Sequence, residues 1–248
     1  MNYIVYDLEF NHQLSKYDKA SNLTFEIIQI GAVKLNNNLE IDSTFSRLIK
    51  PTVHTEIHPF IEGLTQITTE MVNLENYFPD VYSDFIDFIG NEEFTVCIWG
   101  VSDIKELMKN IHFHKSKDID NLKKYIDVQK LASKHIKTPK GTKVGLKSAI
   151  EFFNLPIEKD FHDAFNDAYY TAQIFKELYN PEIETSEYNN TFSKRVSKPK
   201  EKVDIDSLLS QFEKMYDRKM SEEEKSIIKL AYNMGRTNQF LKITDKDI

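Results

Sequence analysis

The sequence contains little cysteine, glycine or proline, with one, seven and seven of these residues in a chain of 248. A single cysteine, Cys97, excludes an intramolecular disulfide and the zinc sites that need several cysteines. The low glycine and proline content excludes fibrous and low-complexity chains. No apolar run approaches the roughly 18 residues that cross a membrane, and the first ten residues carry acidic groups where a signal peptide carries basic ones. We therefore expect an intracellular, cytoplasmic protein.

Charge is plentiful but unevenly distributed. The net charge is −7, and 40% of the residues are hydrophobic, which is enough for a substantial core. Residues 101–147 hold 12 lysines against 5 acidic residues, whereas the first hundred residues are strongly acidic. A basic segment inside an acidic protein can attract a polyanion locally. Lysines that only solvate helix faces would produce the same count, so charge alone leaves both interpretations open.

Five short apolar segments read as β-strands. They cover residues 3–10, 25–35, 41–49, 94–99 and 125–128. Turn signals separate the first three strands, whereas helical patterns precede and follow the last two. Hairpins in the first half and crossovers in the second half predict an α/β fold, with a five-stranded mixed sheet and helices on both faces.

The composition changes towards the C-terminus and predicts three parts. Residues 1–181 contain the predicted sheet and its helices, and residues 182–202 are rich in serine, asparagine, lysine and proline, as in a linker. Residues 203–248 show two amphipathic helical patterns, which predict a small helical appendage. Ser221 and Glu224 have the spacing of a capping box at the start of the second helix.

Two carboxylates lie at the end of the first strand. Asp7 and Glu9 are two residues apart, so both side chains point to the same face of the strand. Burial of two unpaired charges is costly, and a pair of carboxylates at a strand end attracts a cation. Oxygen ligands suit Mg²⁺ or Mn²⁺ rather than zinc. The alternative is an ordinary strand-end pair that is solvated or paired with lysine or arginine.

Three further polar residues follow later elements. Asp103 comes just after the fourth strand, in a first helical turn, where the helix dipole alone would favour it. His162 and Asp167 lie at the start of the last long helix before residue 181. Taken singly, they could be a capping histidine and a solvated aspartate. The occurrence of all these polar residues together, in this order along the chain, is much less expected by chance than the occurrence of any one of them.

The motifs that carry these residues resemble those of the DEDDh 3′–5′ exonucleases, a branch of the ribonuclease H-like superfamily. The three motifs are YDLEF (6–10), WGVSD (99–103) and HDAFNDA (162–168). The resemblance continues through residues 27–35, 58–72 and 144–155 and covers about residues 1–181. Gln66 and Phe10 depart from the family pattern, in which Gly and Thr are common at these positions.

The resemblance implies a ribonuclease H-like fold and a two-metal mechanism. Asp7 would bridge two Mg²⁺ or Mn²⁺ ions roughly 3.5–4 Å apart. Glu9 and Asp167 would complete the first site, and Asp103 would hold the second ion through water. His162 would be the general base, a role that suits an imidazole near neutral pH. The expected reaction removes 5′-mononucleotides from 3′ ends of single-stranded DNA or RNA.

Several alternatives stay open at this point. Phe10 is expected either to stack on the last base or to belong to the core. The whole chain could be a non-catalytic nucleic-acid-binding or scaffold protein on the same fold, although all five residues needed for catalysis are present. An endonuclease is disfavoured, because His162 belongs to the exonuclease pattern. The helices of 203–248 predict a hairpin that docks on the catalytic domain, on a partner protein or on a second copy, and the basic residues of segment 182–202 predict contact with a phosphate backbone. The alternative is a solubilising appendage with no role in turnover.

Overall fold

The computed structural model of the protein describes residues 1–13, 23–139, 141–189 and 204–236, with side chains up to residue 232. The chain divides into two compact units, Met1–Asn190 and Thr191–Ile248. Most of the predicted linker, including its basic residues, lies outside the described residues. The predicted boundaries after residues 181 and 202 therefore stay predictions.

The first unit is built on one mixed sheet with the strand order β3-β2-β1-β4-β5-β6. The strands are β1 (Asn2–His12), β2 (Phe25–Leu35), β3 (Ile41–Leu48), β4 (Phe94–Ile98), β5 (Lys124–Asp127) and β6 (Ser186–Glu187). β2 pairs antiparallel with β1 and β3, whereas β4 pairs parallel with β1 and β5. This arrangement confirms the predicted mixed sheet. The two-residue β6 adds a short antiparallel edge to it, within the segment predicted as a linker.

Helices cover both faces of the sheet. Those of the first unit are α1 (Pro59–Thr65), α2 (Thr69–Asn73), α3 (Phe78–Ile89), α4 (Ser102–Phe113), α5 (Val128–Ile136), α6 (Leu146–Phe152) and α7 (Ala164–Leu178). None of the described helices is long and apolar enough to cross a lipid bilayer. The predicted last helix, from about residue 163 to 179, matches α7 closely, whereas α1 was not predicted as a helix.

Alternation along β1 sends its side chains into two separate cores. Ile4 and Tyr6 pack with α3 and α4 in one buried cluster. Val5 packs with α5, α6 and α7 in the other. Because β1 lies centrally and both of its faces are covered, the polar residues at its end are enclosed by helices from both sides.

The second unit contains two helices, α8 (Ile205–Tyr216) and α9 (Glu222–Arg236). The predicted capping box is present, because Glu224 N donates to Ser221 Oγ at 3.2 Å and Ser221 N donates to Glu224 Oε2 at 2.8 Å. Large apolar side chains on this helix pair are exposed, namely Met215, Tyr216, Ile227, Leu230 and Tyr232.

Candidate active site

Two carboxylates of β1 lie just beyond its fully buried run. Asp7 and Glu9 follow Val5 at intervals of two residues, so they point to the face of the sheet that α7 covers. Asp7 pairs with Gly31 of β2, and Glu9 pairs with Gln29. A β-bulge directly after Glu9 interrupts the regular pairing. Bulges of this kind often lie beside active sites, where they re-aim side chains.

One buried side chain, Gln29, ties the first turn of α7 to β2. Its Nε2 donates to Asp163 Oδ2 at 2.8 Å, and its Oε1 accepts from Ala164 N at 3.0 Å. Asp163 Oδ1 accepts from Asn166 N at 2.9 Å, so Asp163, and not His162, caps the helix. Gln29 was not predicted as a site residue. Its position as an isolated glutamine in an apolar strand could have indicated this role, because a buried polar side chain needs hydrogen-bond partners.

Gly31 lets the start of α7 approach the backbone of β2 directly. A Cβ at this position would lie 2.1 Å from the carbonyl carbon of Ala164 and 2.1 Å from the nitrogen of Phe165. No side chain other than hydrogen fits there. The contact brings the first turn of α7, with Asp167, over the end of β1.

Gly31→Ala is expected to destabilise the domain and to weaken Mg²⁺ binding. The added methyl group must push α7 away from β2, and Asp167 moves away from Asp7 with it. Overpacking of a tight contact costs about 1–3 kcal/mol. Urea unfolding would measure the loss of stability, and the rise in Tm on adding Mg²⁺ would measure the loss of binding.

Gly63→Ala is the matched control. Gly63 lies in α1, and an added Cβ there meets nothing within 4 Å. Alanine in a helix is about 0.5–1 kcal/mol more favourable than glycine, so this variant should be as stable as the wild type or more stable. Equal stability of the Gly31 and Gly63 variants would contradict the tight contact.

The structure brings three carboxylates together. Asp7, Glu9 and Asp167 each offer an oxygen, and these oxygens all lie within 4.8 Å of one another. Asp167 Oδ1 is buried and has no hydrogen-bond partner among the described residues. A buried, unpaired carboxylate oxygen is costly. The donor set fits a hard divalent cation such as Mg²⁺ or Mn²⁺, which prefers oxygen ligands.

Asp103 adjoins this group without being part of it. It lies in the first turn of α4 and is only 7% exposed. Its side chain accepts a hydrogen bond from the carboxyl group of Asp7. The structure thus joins all four predicted acidic residues, three in a tight group and the fourth through Asp7.

Burial raises the pKa of every member of this acidic group. The pKa of Asp7 lies well above its usual value because of burial and the charges of Asp103, Asp167 and Glu9. Burial, followed by the charges of Asp167, Asp103 and Asp163, raises the pKa of Glu9 to about 8. Burial raises the pKa of Asp103 to about 8 and that of Asp167 to about 6. The group therefore holds protons at neutral pH unless a cation replaces them.

Without divalent cations, the protein is expected to lose stability as the pH rises from about 4 to about 8. Carboxyl groups of an unfolded chain have pKa values near 4, well below those of Glu9 and Asp103 in the fold. Between these limits the folded state binds more protons than the unfolded state, so the free energy of unfolding falls with rising pH. A bound cation relieves the repulsion between the carboxylates.

The measurement is the difference in Tm between Mg²⁺ and EDTA solutions. This difference should widen as the pH rises from about 5 to about 8, because the cation replaces protons that the site would otherwise lose. Carboxyl groups elsewhere in the protein change Tm with pH equally in both solutions, so their contributions cancel in the difference. A difference that does not change with pH would contradict the raised pKa values.

His162 lies on a loop that is held against α7. Its backbone nitrogen donates to Asp167 Oδ2 at 3.4 Å, its φ is +65°, and its side chain is exposed. The imidazole is therefore open to solvent. The buried Tyr170 hydroxyl anchors the loop, because it accepts from the nitrogens of Glu158 (3.1 Å) and Lys159 (2.7 Å) and donates to Lys159 O (2.7 Å). Tyr170 was not predicted as a site residue.

Phe10 lies next to the acidic group at the bulge. It is half-buried, packs against the core cluster of α3 and α4, and approaches the ring of Phe25 at 6.4 Å between centroids. One part of the ring thus belongs to the core and another is accessible. Its role with a nucleotide base stays a prediction.

Comparison with known proteins identifies similar chains. The family model described as exonuclease matches residues 4–175. A PolC-type DNA polymerase III from Clostridium perfringens is 33% identical over 174 residues, which are 70% of this chain and 11% of the relative. The 3′-5′ exoribonuclease 1 of Rattus norvegicus is 28% identical over 159 residues, which are 60% of this chain and 45% of the relative. The chain thus spans less than half the length of these curated relatives.

A solved structure shares the fold. The nuclease domain of 3′hExo, a DEDDh family member bound to rAMP, superposes with a TM-score of 0.65 at 23% sequence identity. The superposition covers 76% of this chain and 96% of that one. The ribonuclease H-like fold predicted from the motifs is confirmed.

Proposed function

This chain belongs to the exonuclease family, and on that premise we propose that it is a metal-dependent 3′–5′ exonuclease. It would hydrolyse the last phosphodiester bond of single-stranded DNA or RNA and release a 5′-mononucleotide. The observation that carries the proposal is the convergence of Asp7, Glu9 and Asp167, whose oxygens lie within 4.8 Å of one another. The solved neighbour with rAMP supports a site for a nucleoside monophosphate on this fold.

The proposed cofactor is a pair of Mg²⁺ or Mn²⁺ ions. Asp7, Glu9 and Asp167 would hold the first ion, and Asp7 with Asp103 would serve the second. Bound cations of this kind stabilise negative charge on the phosphate and make water a stronger acid. The raised pKa values of the carboxyl groups support the assignment, because a nearby positive charge favours the ionised form of such crowded carboxylates.

His162 is proposed to take the proton from the attacking water at an imidazole nitrogen. The bond from its backbone to Asp167 keeps it beside the acidic group, and the anchoring of its loop by Tyr170 limits its movement. Its exposed position leaves the imidazole room to reach the terminal nucleotide. Phe10 is proposed to stack on the last base, as aromatic side chains do in single-strand binding sites.

The test follows the decay of 5′-labelled single strands of RNA and DNA with matched sequence. Each is incubated with Mg²⁺, with Mn²⁺ and with EDTA. The proposal expects a ladder that shortens from the 3′ end in either metal and intact strands in EDTA. Intact RNA and DNA in every solution would refute the exonuclease and favour the alternative of a non-catalytic nucleic-acid-binding protein. The relative decay of the two strands decides the substrate class, which depends on contacts to the 2′-hydroxyl.

The α8–α9 pair is proposed to contact a partner protein or a second copy of this chain. Its support is the exposure of apolar side chains, including Ile227 at 58% and Leu230 at 57%, since exposed apolar patches mark contact surfaces. Truncation after residue 189 keeps β6 and removes the pair. Loss of an oligomer in light scattering, or weaker binding of long single strands, would support the proposal. A truncated protein with the mass and affinity of the full chain would refute it.

A further inference from the structure

A lysine from the basic segment lies beside the chain that leads from β4 to Asp103. The amine of Lys143 lies 3.9 Å from the position that a Cβ of Gly100 would occupy. Gly100 comes two residues after the end of β4 and three residues before Asp103. Three residues span at most about 10 Å. Lys143 therefore presents a positive charge close to the edge of the proposed active site.

The backbone on both sides of Lys143 is held in place by α5 and by the loop that follows it. Val144 N donates to Ser133 Oγ at 3.0 Å, and Val144 O accepts from Gln129 Nε2 at 3.0 Å. On the other side, Thr142 O accepts from Thr138 Oγ1 at 2.9 Å. These bonds fix the backbone of Lys143 and therefore the point from which its side chain extends.

Gly100 and Gln129 make room for this arrangement. A Cβ at Gly100 would lie 2.7 Å from Gln129 Oε1, and the φ of Gly100 is +87°, which favours glycine. The same glutamine binds the chain next to Lys143 through its Nε2. The side chain of Gln129 thus lies between the segment that leads to Asp103 and the segment that carries the lysine.

A buried carboxylate attracts the ammonium group of Lys143 but accepts no hydrogen bond from it. Lys143 Nζ lies 3.7 Å from Asp127 Oδ2, beyond hydrogen-bond distance, and the Asp127 side chain is 8% exposed. The other oxygen of Asp127 accepts from Lys130 N and caps α5. The Lys143 side chain itself is 52% exposed. An ion pair of this kind adds little stability, whereas its ammonium group retains donors for a second anion.

We infer that Lys143 binds a backbone phosphate of the single strand, close to the terminal nucleotide but separate from the bond that is cleaved. The inference rests on the proposed function, because it needs a strand whose 3′ end lies at Asp7, Glu9 and Asp167. Those carboxylates repel a polyanion, and a cation beside the chain that leads to Asp103 offsets the repulsion for the next part of the strand. The ligand is a phosphodiester group, and the contact carries no sequence preference.

The experiment measures how salt weakens the binding of a 5′-labelled single strand of about ten nucleotides. Fluorescence anisotropy in Ca²⁺ gives Kd for the wild type and for Lys143→Ala and Lys143→Arg. Loss of one phosphate contact should reduce the slope of log K against log salt by about 0.7 and raise Kd about fivefold at 0.1 M salt. Lys143→Arg keeps the charge and should keep the wild-type slope. The Tm of both variants should match that of the wild type.

Lys105→Ala is the matched control. Lys105 is 54% exposed, and its amine lies 3.7 Å from Glu106, whose side chain is 8% exposed. Glu106 also pairs with Lys109 at 2.7 Å. Lys105→Ala therefore removes the same charge from a pair with the same N–O distance, on a side of α4 turned away from Asp103. Its slope should equal that of the wild type.

The outcomes separate this inference from the proposed function. A reduced slope in Lys143→Ala alone supports the phosphate contact, even if the wild type hydrolyses no strand and the proposed exonuclease fails. Equal slopes in Lys143→Ala and the wild type, or equal losses in the Lys143 and Lys105 variants, would overturn it. A wild type that binds no single strand at low salt would overturn it as well.

Discussion

Asp7→Asn is expected to lower the rate of 3′-end hydrolysis by at least about a thousandfold while leaving the fold intact. Asp7 is the residue that touches both halves of the acidic group, since it lies with Glu9 and Asp167 and hydrogen-bonds to Asp103. Metal ions contribute several kcal/mol to such reactions, and each 1.4 kcal/mol is a factor of ten in rate. The amide is neutral without taking up a proton, which the buried carboxyl of Asp7 must do on folding, so stability without metal should rise.

Two measurements check this prediction together. Single-turnover hydrolysis of a 5′-labelled strand gives the rate, and thermal melting with and without Mg²⁺ gives cation binding. Mg²⁺ should raise the Tm of the wild type but not of Asp7→Asn, because a ligand stabilises only a state that binds it. Asp87→Asn, an exposed carboxylate of α3, should retain both activity and the Mg²⁺ effect. A wild-type rate in Asp7→Asn would rule out the assigned metal site.

His162→Asn is expected to lower kcat by about 10²–10⁴-fold with little change in the Mg²⁺ effect on Tm. This range is the usual contribution of a positioned general base. Asparagine is the better replacement, because His162 has a φ of +65° and asparagine tolerates this conformation. The backbone bond to Asp167 can therefore persist while the imidazole is removed.

Controls separate a proton acceptor from a structural role. His135→Asn removes an exposed imidazole on α5 and should leave kcat unchanged. In His162→Ala, added imidazole should restore part of the lost rate, whereas a merely structural histidine would not be replaced from solution. An unchanged kcat in His162→Asn, with Mg²⁺ bound, would assign the base to another group.

Local patterns were sufficient to predict several parts of the fold. The apolar run of β1 with carboxylates at its end, and the limits of α7 near residues 163 and 179, follow from periodicity and terminal signals that act within a few residues. The capping box at Ser221 is local in the same way. The motifs placed five candidate residues in their order along the chain, and four of them, the carboxylates, come together in the structure.

The rest depended on contacts between residues far apart in sequence. Gln29 forms a hydrogen bond with Asp163, which is 134 positions away in the sequence. The sequence around either residue does not indicate the other as its partner. The exposure of His162 could not be predicted for a related reason, because a motif reports residue types and spacing but not how the loop packs. The edge strand β6 was missed because two residues are too few to show alternation.

The sequence by itself determined which polar residues lie at the strand ends. It also determined that Asp7 and Glu9 lie on the same face of β1. Only the tertiary structure decided how they meet. The side chain of Gln29 and the missing Cβ of Gly31 set the position of α7, and with it the distance from Asp167 to Asp7. The physical reason is that sequence periodicity reports which residues are buried, and the hydrophobic effect that buries them is not directional. A site instead requires hydrogen bonds of specific geometry and close backbone contacts between elements that only folding brings together.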